Sequence, residues 1–363
     1  MANVALPSTQ KAIQYTKFGN PSDVLELNSS APVPTPGPNE VIIKVHAAAL
    51  NPVDWKLMKG GVTNFLLPSV MTPGLDVAGT IVAAGTKVLQ EHPTNSSNAR
   101  VPPFKVGDEV LAFLHFKYSG GALKEYTNVD VSLIAHKPAS LSFEEAAAWP
   151  LVSITDWEAL VIRGKIQKGH KVLINGASGG CGTTAVQLAK AFGAHVVGVC
   201  STRNVEFVKQ LGADEVVDYT KTKVWEQFTN QDFDIVYDTA SSGAELWQNE
   251  AKLLKRDGVY VSISESENTM SSFKDFIGTG ASLAARKVLS FFHSGPSVYL
   301  FTAFPSGALL RQVVEKLMEG DGDKRHSRPV IDSVHEFTLD GVHKAFEQSK
   351  SRRARGKIVV KIV

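Results

Sequence analysis

Between residues 172 and 189 the chain reads Val172-Leu173-Ile174-Asn175-Gly176-Ala177-Ser178-Gly179-Gly180-Cys181-Gly182-Thr183-Thr184-Ala185-Val186-Gln187-Leu188-Ala189, and no other run limits the fold as much. The apolar start is a strand candidate, Lys171 to Asn175. Gly176, Gly179, Gly180 and Gly182 then make a turn nearly free of Cβ atoms. From Thr183 to Phe192, apolar Ala185, Val186, Leu188, Ala189 and Phe192 recur at helical spacing, and a second strand candidate follows at His195 to Cys200. Strand, glycine turn, helix and strand form the unit in which backbone N–H groups and a helix N-terminus approach a dinucleotide pyrophosphate. The spacing here is a variant of G-x-G-x-x-G.

Two other loops compete for the same residues. A phosphate-binding P-loop needs Gly-Lys followed by Ser or Thr with a glycine five positions earlier, and neither Gly164-Lys165 nor Gly356-Lys357 meets this. The nucleophile elbow G-x-S-x-G does match, at Gly176-Ala177-Ser178-Gly179-Gly180, which keeps a serine hydrolase using Ser178 as a remote alternative. Against it stand the missing HGGG-type oxyanion loop, the superfluous Gly182 and a β-rich preceding segment.

The choice of dinucleotide follows from charge. An acid at the end of the second strand accepts a hydrogen bond from the ribose 2'-OH of NAD but repels a 2'-phosphate. The residues there are Cys200-Ser201-Thr202-Arg203-Asn204, with hydroxyls and a guanidinium and no acid. Arg203 can clamp a phosphate in a charge-assisted pair, so the expected cofactor is NADPH.

The rest of the chain repeats the strand–helix rhythm. Strand candidates are Glu215 to Asp218, Asp234 to Asp238, Gly258 to Ile263 and Ser297 to Phe301, with helical patterns at Asn204 to Leu211 and Gly307 to Met318. That alternation predicts an α/β fold with a doubly wound parallel sheet. Before residue 150 the pattern is mostly β, with an extended start over 11–27, a Pro-rich break at Ala31 to Pro38, and strands at Val41 to Val45, Val77 to Ala83 and Asp108 to Ala112. Leu89 to Pro103 reads as a polar surface loop. The tail alternates again at Lys357 to Val363 and is expected to return to the first domain. With 363 residues the chain suits two domains, placed at 1–150 with 304–363 and at 151–303.

Composition narrows the partners. The 38 Lys plus Arg nearly balance the 36 Asp plus Glu, so no strong field exists to collect nucleic acid or anionic lipid. The basic run Arg352-Arg353-Ala354-Arg355 is read as a solvated face that a phosphate or membrane surface can meet. Cys181 and Cys200 form no C-x-x-C pair, residues 1–10 lack a secretory pattern, and no run approaches 18 apolar residues. A cytoplasmic protein without integral membrane contact is the expectation. A catalytic zinc needs converging thiolate or imidazole ligands. Asn51-Pro52-Val53-Asp54-Trp55-Lys56 and Pro73-Gly74-Leu75-Asp76-Val77-Ala78-Gly79 contain neither Cys nor His, and His335 and His343 read as surface residues.

These segments, with Gly107-Asp108-Glu109-Val110, Gly121 to Tyr126, Leu211-Gly212-Ala213-Asp214 and Gly356-Lys357-Ile358-Val359-Val360, resemble the zinc-independent medium-chain dehydrogenase/reductase superfamily nearly end to end. Within it the chain looks like the quinone oxidoreductase and alkenal/enone reductase branch. Arg203 to Lys209 with Asp218-Tyr219 is similar to the plant chloroplast-envelope quinone oxidoreductase homologues. The resemblance implies a Rossmann domain beside a mostly β GroES-like catalytic domain. It implies that Ser178, Gly179, Gly180, Cys181 and Gly182 line the pyrophosphate, and that Ser201, Arg203 and Tyr219 surround the 2'-phosphate. It sets Thr155 near the nicotinamide amide, Asn51 beside the nicotinamide and Lys56 at the cofactor. Two departures are Cys181, in place of the usual valine, and Leu75-Asp76, in place of the His-Glu of the zinc enzymes.

The implied chemistry is hydride transfer from NADPH to the β-carbon of an α,β-unsaturated carbonyl or to a quinone. Asn51 and Lys56 are the candidates to stabilise charge on the substrate oxygen, with turn fixing and surface charge as their structural readings. Tyr118 and Tyr126 are unranked proton donors. Trp55, Trp149, Phe65 and Phe116 are candidate pocket walls, with core packing the commoner role for aromatics. The strand from Ser297 is a candidate homodimer edge. An NADPH-binding structural or regulatory protein without turnover is the non-enzymatic alternative.

Overall fold

The computed structural model describes residues 5–60, 69–90, 103–115, 121–230, 232–240, 245–263, 297–300, 302–318 and 327–363. At the start, β1 (Thr9–Gln14) and β2 (Glu26–Pro32) pair antiparallel. Between them Pro21–Val24 forms one helical turn, which interrupts the stretch expected to be extended. Pro21 favours that turn, because its missing N–H is unneeded at a first helical position.

A seven-stranded sheet then forms around β3 (Glu40–Leu50), with β4 (Asp76–Ala84), β5 (Glu109–Phe113), β6 (Tyr126–Asp130) and β7 (Ile134–His136). At 11 residues β3 is long enough to serve two strands along one edge. β6 pairs with Glu40 to Lys44, which leaves Ala47 to Leu50 for another strand. Of the polar segment Leu89 to Pro103, the first two residues close the helix Thr86–Gln90, and 91–102 lie outside the described residues.

The parallel sheet contains β8 (Lys171–Asn175), β9 (His195–Cys200), β10 (Glu215–Asp218), β11 (Phe233–Asp238), β12 (Leu254–Ser262) and β13 (Ser297–Leu300). Their order, β10-β9-β8-β11-β12-β13, reverses direction between β8 and β11, the kind of switch point where open α/β sheets bind ligands. Val172, Leu173 and Ile174 are buried in succession, as a strand covered on both faces requires. The helix Gly180–Ala191 begins three residues earlier than its apolar periodicity suggests, inside the glycine run.

After the helix Gly307–Met318 the chain returns to the first sheet. There β14 (Ile331–Glu336) lies parallel to β15 (Lys357–Lys361), and β15 pairs antiparallel with Ala47 to Leu50 of β3. One continuous core joins Leu111 and Phe113 of the first sheet to Val172 and Ile174 of the second through Trp149 and Ile154. Trp149 is fully buried in it and Trp55 is buried in the first sheet's own core, so both take the packing role. Phe65, Phe116 and Tyr118 lie outside the described residues, and Tyr126 pairs with Lys44 as a β6 strand residue. His335 and His343, expected at the surface, are half-buried, and His335 Nε2 lies 3.0 Å from both Ser333 Oγ and Gln348 Oε1. No helix among the described residues is long and apolar enough to cross a membrane.

Candidate active site

The glycine turn is shaped by close approach. Gly176 sits at φ +82°, where side chains are disfavoured, and a Cβ at Gly182 would lie 2.1 Å from the Gly176 carbonyl oxygen. The N–H groups of Gly176 and Ala177 both donate to Val199 O, at 3.1 and 3.0 Å, so the turn folds over the end of β9. Gly179 caps the helix Gly180–Ala191 without a side-chain bond, and its first turn carries no acid. An uncapped helix start gathers unsatisfied N–H groups and positive dipole, the chemistry a diphosphate takes. Ser178, Gly179, Gly180 and Cys181 are half-exposed here and Gly182 is buried. Although Cys181 is only part-covered, its thiol lies among protein atoms, and that desolvation pushes it well above its usual range, with the Asp156 charge acting in the same direction.

Beyond the end of β9, Ser201 and Arg203 gather around Asn204, with one addition from the tail. Asn204 Nδ2 donates to Ser178 Oγ at 2.9 Å and to Ser201 Oγ at 3.5 Å. Arg355, from the run read as a solvated face, donates from Nε to Asn204 Oδ1 at 2.7 Å and from its guanidinium to Arg203 O at 2.9 Å. Arg203 in turn donates to Arg353 O at 2.9 Å. The Arg355 guanidinium and two serines thus meet on Asn204 beyond β9, with the Arg203 backbone beside them, and Tyr219 stands exposed with its N–H on Cys200 O. Asp218 is the nearby acid; the hydroxyls of Thr202 and Thr220 donate to it and hold it down to about 2. Ser178 Oγ, the nucleophile of the elbow reading, accepts from an asparagine amide, which cannot act as its base.

The opposite end is a buried polar knot. Asn51 Nδ2 donates to Asp76 Oδ2 at 2.8 Å, and Asp76 Oδ1 accepts from Leu151 N at 2.7 Å. Lys357 Nζ donates to Asp76 Oδ2 at 3.0 Å, to Leu50 O at 3.1 Å and to Asn51 Oδ1. All three side chains are buried. Leu151 is the second residue of the helix Pro150–Trp157, whose Thr155 hydroxyl donates to Leu151 O at 2.7 Å and keeps its lone pairs as acceptors. On the same helix burial raises the Asp156 carboxyl well above the usual range, with the Tyr237 hydroxyl donating to it at 2.8 Å. Asn51 caps the helix Pro52–Lys59, and its N–H donates to Asp54 Oδ2 at 2.7 Å. Asp54 Oδ1 accepts from Gly74 N at 3.0 Å, yet burial, reinforced by the Asp76 charge, lifts Asp54 to about 7. Lys56 is half-buried on this helix, more than a turn beyond Asn51.

Sequence reading missed Lys357 as a site residue. The available signal was a lysine opening an otherwise apolar tail strand, together with an acid, Asp76, inside an apolar run that requires a buried cation.

Residues 37–139 match the family described as alcohol dehydrogenase GroES-like domain, and residues 211–360 the family described as zinc-binding dehydrogenase. The chain is 36% identical to 2-methylene-furan-3-one reductase of Solanum lycopersicum, over 99% of this chain and 80% of that protein. It is 33% identical to the mitochondrial NAD(P)H oxidoreductase RTN4IP1 of Danio rerio, over 96% and 90%. The structure of the quinone oxidoreductase from Coxiella burnetii superposes with a TM-score of 0.74 at 26% identity, covering 98% of this chain and 99% of that one. The description "zinc-binding" implies a metal that the residues here do not fit. Asn51, Leu75 and Asp76 supply one carboxylate and no imidazole or thiolate, and an ammonium already neutralises that carboxylate. Among the described residues no three His, Cys, Asp or Glu side chains converge as a metal site.

Proposed function

The chain belongs to the medium-chain dehydrogenase/reductase family and is an oxidoreductase of its enone- and quinone-reducing branch, and on that premise we propose that it works with NADPH, without a metal. In this reading the parallel sheet, 151–303, binds the cofactor. Ser178 to Gly182 hold the pyrophosphate, Ser201, Arg203 and Tyr219 the 2'-phosphate, and Thr155 the nicotinamide amide. When bound, NADPH supplies the hydride. The glycine turn and the helix start fix the cofactor in place, which converts hydride transfer into an oriented, effectively unimolecular step. Charge then develops on the substrate oxygen. Asn51 offers it an amide N–H, strengthened as a donor by the Lys357 ammonium on Oδ1, and Lys56 adds a positive charge on the same helix.

The observation that carries this reading is the tail strand. Gly356 N donates to Ser178 O at 3.0 Å while the next residue, Lys357, holds Asn51, so one dipeptide ties the dinucleotide turn to the polar amide. Loss of absorbance at 340 nm with a panel of enones and quinones tests it. Turnover of at least one member is the expected result, and binding of NADPH with no turnover on any member would favour the non-enzymatic role. The reading keeps a cytoplasmic location, which a fluorescent fusion decides against the mitochondrial location of the Danio rerio relative. It also takes β13 as a homodimer edge, since it is the last of the described strands in the parallel sheet and exposes Tyr299; light scattering reads the mass.

A further inference from the structure

We infer that Lys357 is a positioning residue for the reaction: its buried ammonium fixes the orientation of the Asn51 amide, so that Nδ2 is aimed at the substrate oxygen. The inference rests on the hydride-transfer reading above. An ammonium has three N–H donors, and Lys357 directs them at Leu50 O, Asn51 Oδ1 and Asp76 Oδ2. Because Asn51 Oδ1 accepts from a cation and Nδ2 donates to a carboxylate, turning the amide by 180° would set NH₂ against NH₃⁺ and carbonyl against carboxylate. Only one orientation is electrostatically allowed. Of the two Nδ2 hydrogens, Asp76 takes one, and in this inference the other serves the substrate oxygen.

A stapling role alone explains less. β15 is already held by its ladders to β14 and β3, and a buried ion pair is seldom better for stability than apolar side chains of similar volume. The contacts point instead to registration. A Cβ built on Gly180 would lie 3.3 Å from Lys357 Cδ, so the lysine stem runs against the dinucleotide turn while its head holds the amide. Hydride source and carbonyl donor are thus spaced by one side chain.

The test is a double-mutant cycle on single-turnover hydride transfer, followed at 340 nm, in wild type, K357M, N51A and K357M/N51A, with NADPH affinity read by tryptophan quenching. We expect K357M to slow transfer about 10- to 100-fold while the NADPH Kd moves less than about threefold. On the N51A background the same change should slow transfer less than about twofold, because the group it orients is gone. Equal losses on both backgrounds, or a loss confined to NADPH affinity, would overturn the inference. Should K357M not fold, the charge-neutral K357M/D76N replaces it in both arms with the same expectations. If wild type reduces no panel member, it is the functional reading that fails, and NMR of the Asn51 side-chain NH₂ in K357M decides the inference alone: signals from an amide in more than one orientation uphold it, a single unchanged pair overturns it.

Discussion

The two ends of the candidate site are built by different means. The glycine turn is local: seven residues, backbone N–H groups and a steric demand for glycine. The knot at Asn51 is non-local, with Asp76 and Lys357 lying 281 residues apart and meeting only because the tail strand pairs with β3. A local device is specified by residue type and tolerates little volume. A non-local one is specified by topology and tolerates no unpaired charge.

That contrast predicts different failures. The largest is expected from Asp76→Leu, which strands the Lys357 ammonium in the core and should cost about 3–5 kcal/mol of stability in urea unfolding. A loss below about 1 kcal/mol would mean that the knot is solvated and the contrast false. Gly182→Ala comes next. Its Cβ meets the Gly176 carbonyl at 2.1 Å, so the turn must open, and NADPH should bind about 100-fold more weakly, roughly 3 kcal/mol, by fluorescence titration. Unchanged affinity would show that the turn is not the pyrophosphate seat.

Smaller effects sharpen the picture. Arg203→Ala should weaken NADPH about tenfold and NADH less than about twofold, the loss of one charge-assisted contact. Equal losses would remove Arg203 from the 2'-phosphate. The smallest concerns Asp54, raised to about 7 in the fold against 3.8 unfolded. A raised acid binds its proton more tightly in the folded state. The stability it contributes is therefore present in acid and is lost as pH climbs from about 4 through about 7. The melting temperature of wild type minus that of Asp54→Asn should fall between pH 5 and 8 in a buffer series, and a flat difference would rule this out.

How much was legible follows the same division. The turn, the strands around it and the absence of an acid after Cys200 could be read off because each depends on neighbours in sequence. Only the start of the helix at Gly180, ahead of its apolar stripe, differed, since glycines carry no periodicity. Asn51 was found as a polar residue in a motif, but its role depends on a cation 306 residues away; the lysine that opens the apolar tail strand stands out locally, while its partner is set by the pairing of β15 with β3. Arg355 was hidden in the same way: three arginines near one another read as a charged surface, and only the return of the tail brings one of them onto Asn204. Asp54 stood in the Asn51 to Lys56 segment without a role of its own; its bond to the Asn51 N–H, its burial and the Asp76 charge could not be seen from its neighbours.

The late position of β15 has a consequence for biosynthesis. A ribosome adding about 5–20 residues each second spends roughly a quarter of a minute to a minute between Asp76 and Lys357. Throughout that interval the nascent first sheet carries a carboxylate with no counter-ion and a β3 edge only half paired. A chaperone that shields that edge until synthesis reaches the tail would protect the chain at its most vulnerable stage, and the competence to transfer hydride arrives among the last events of folding.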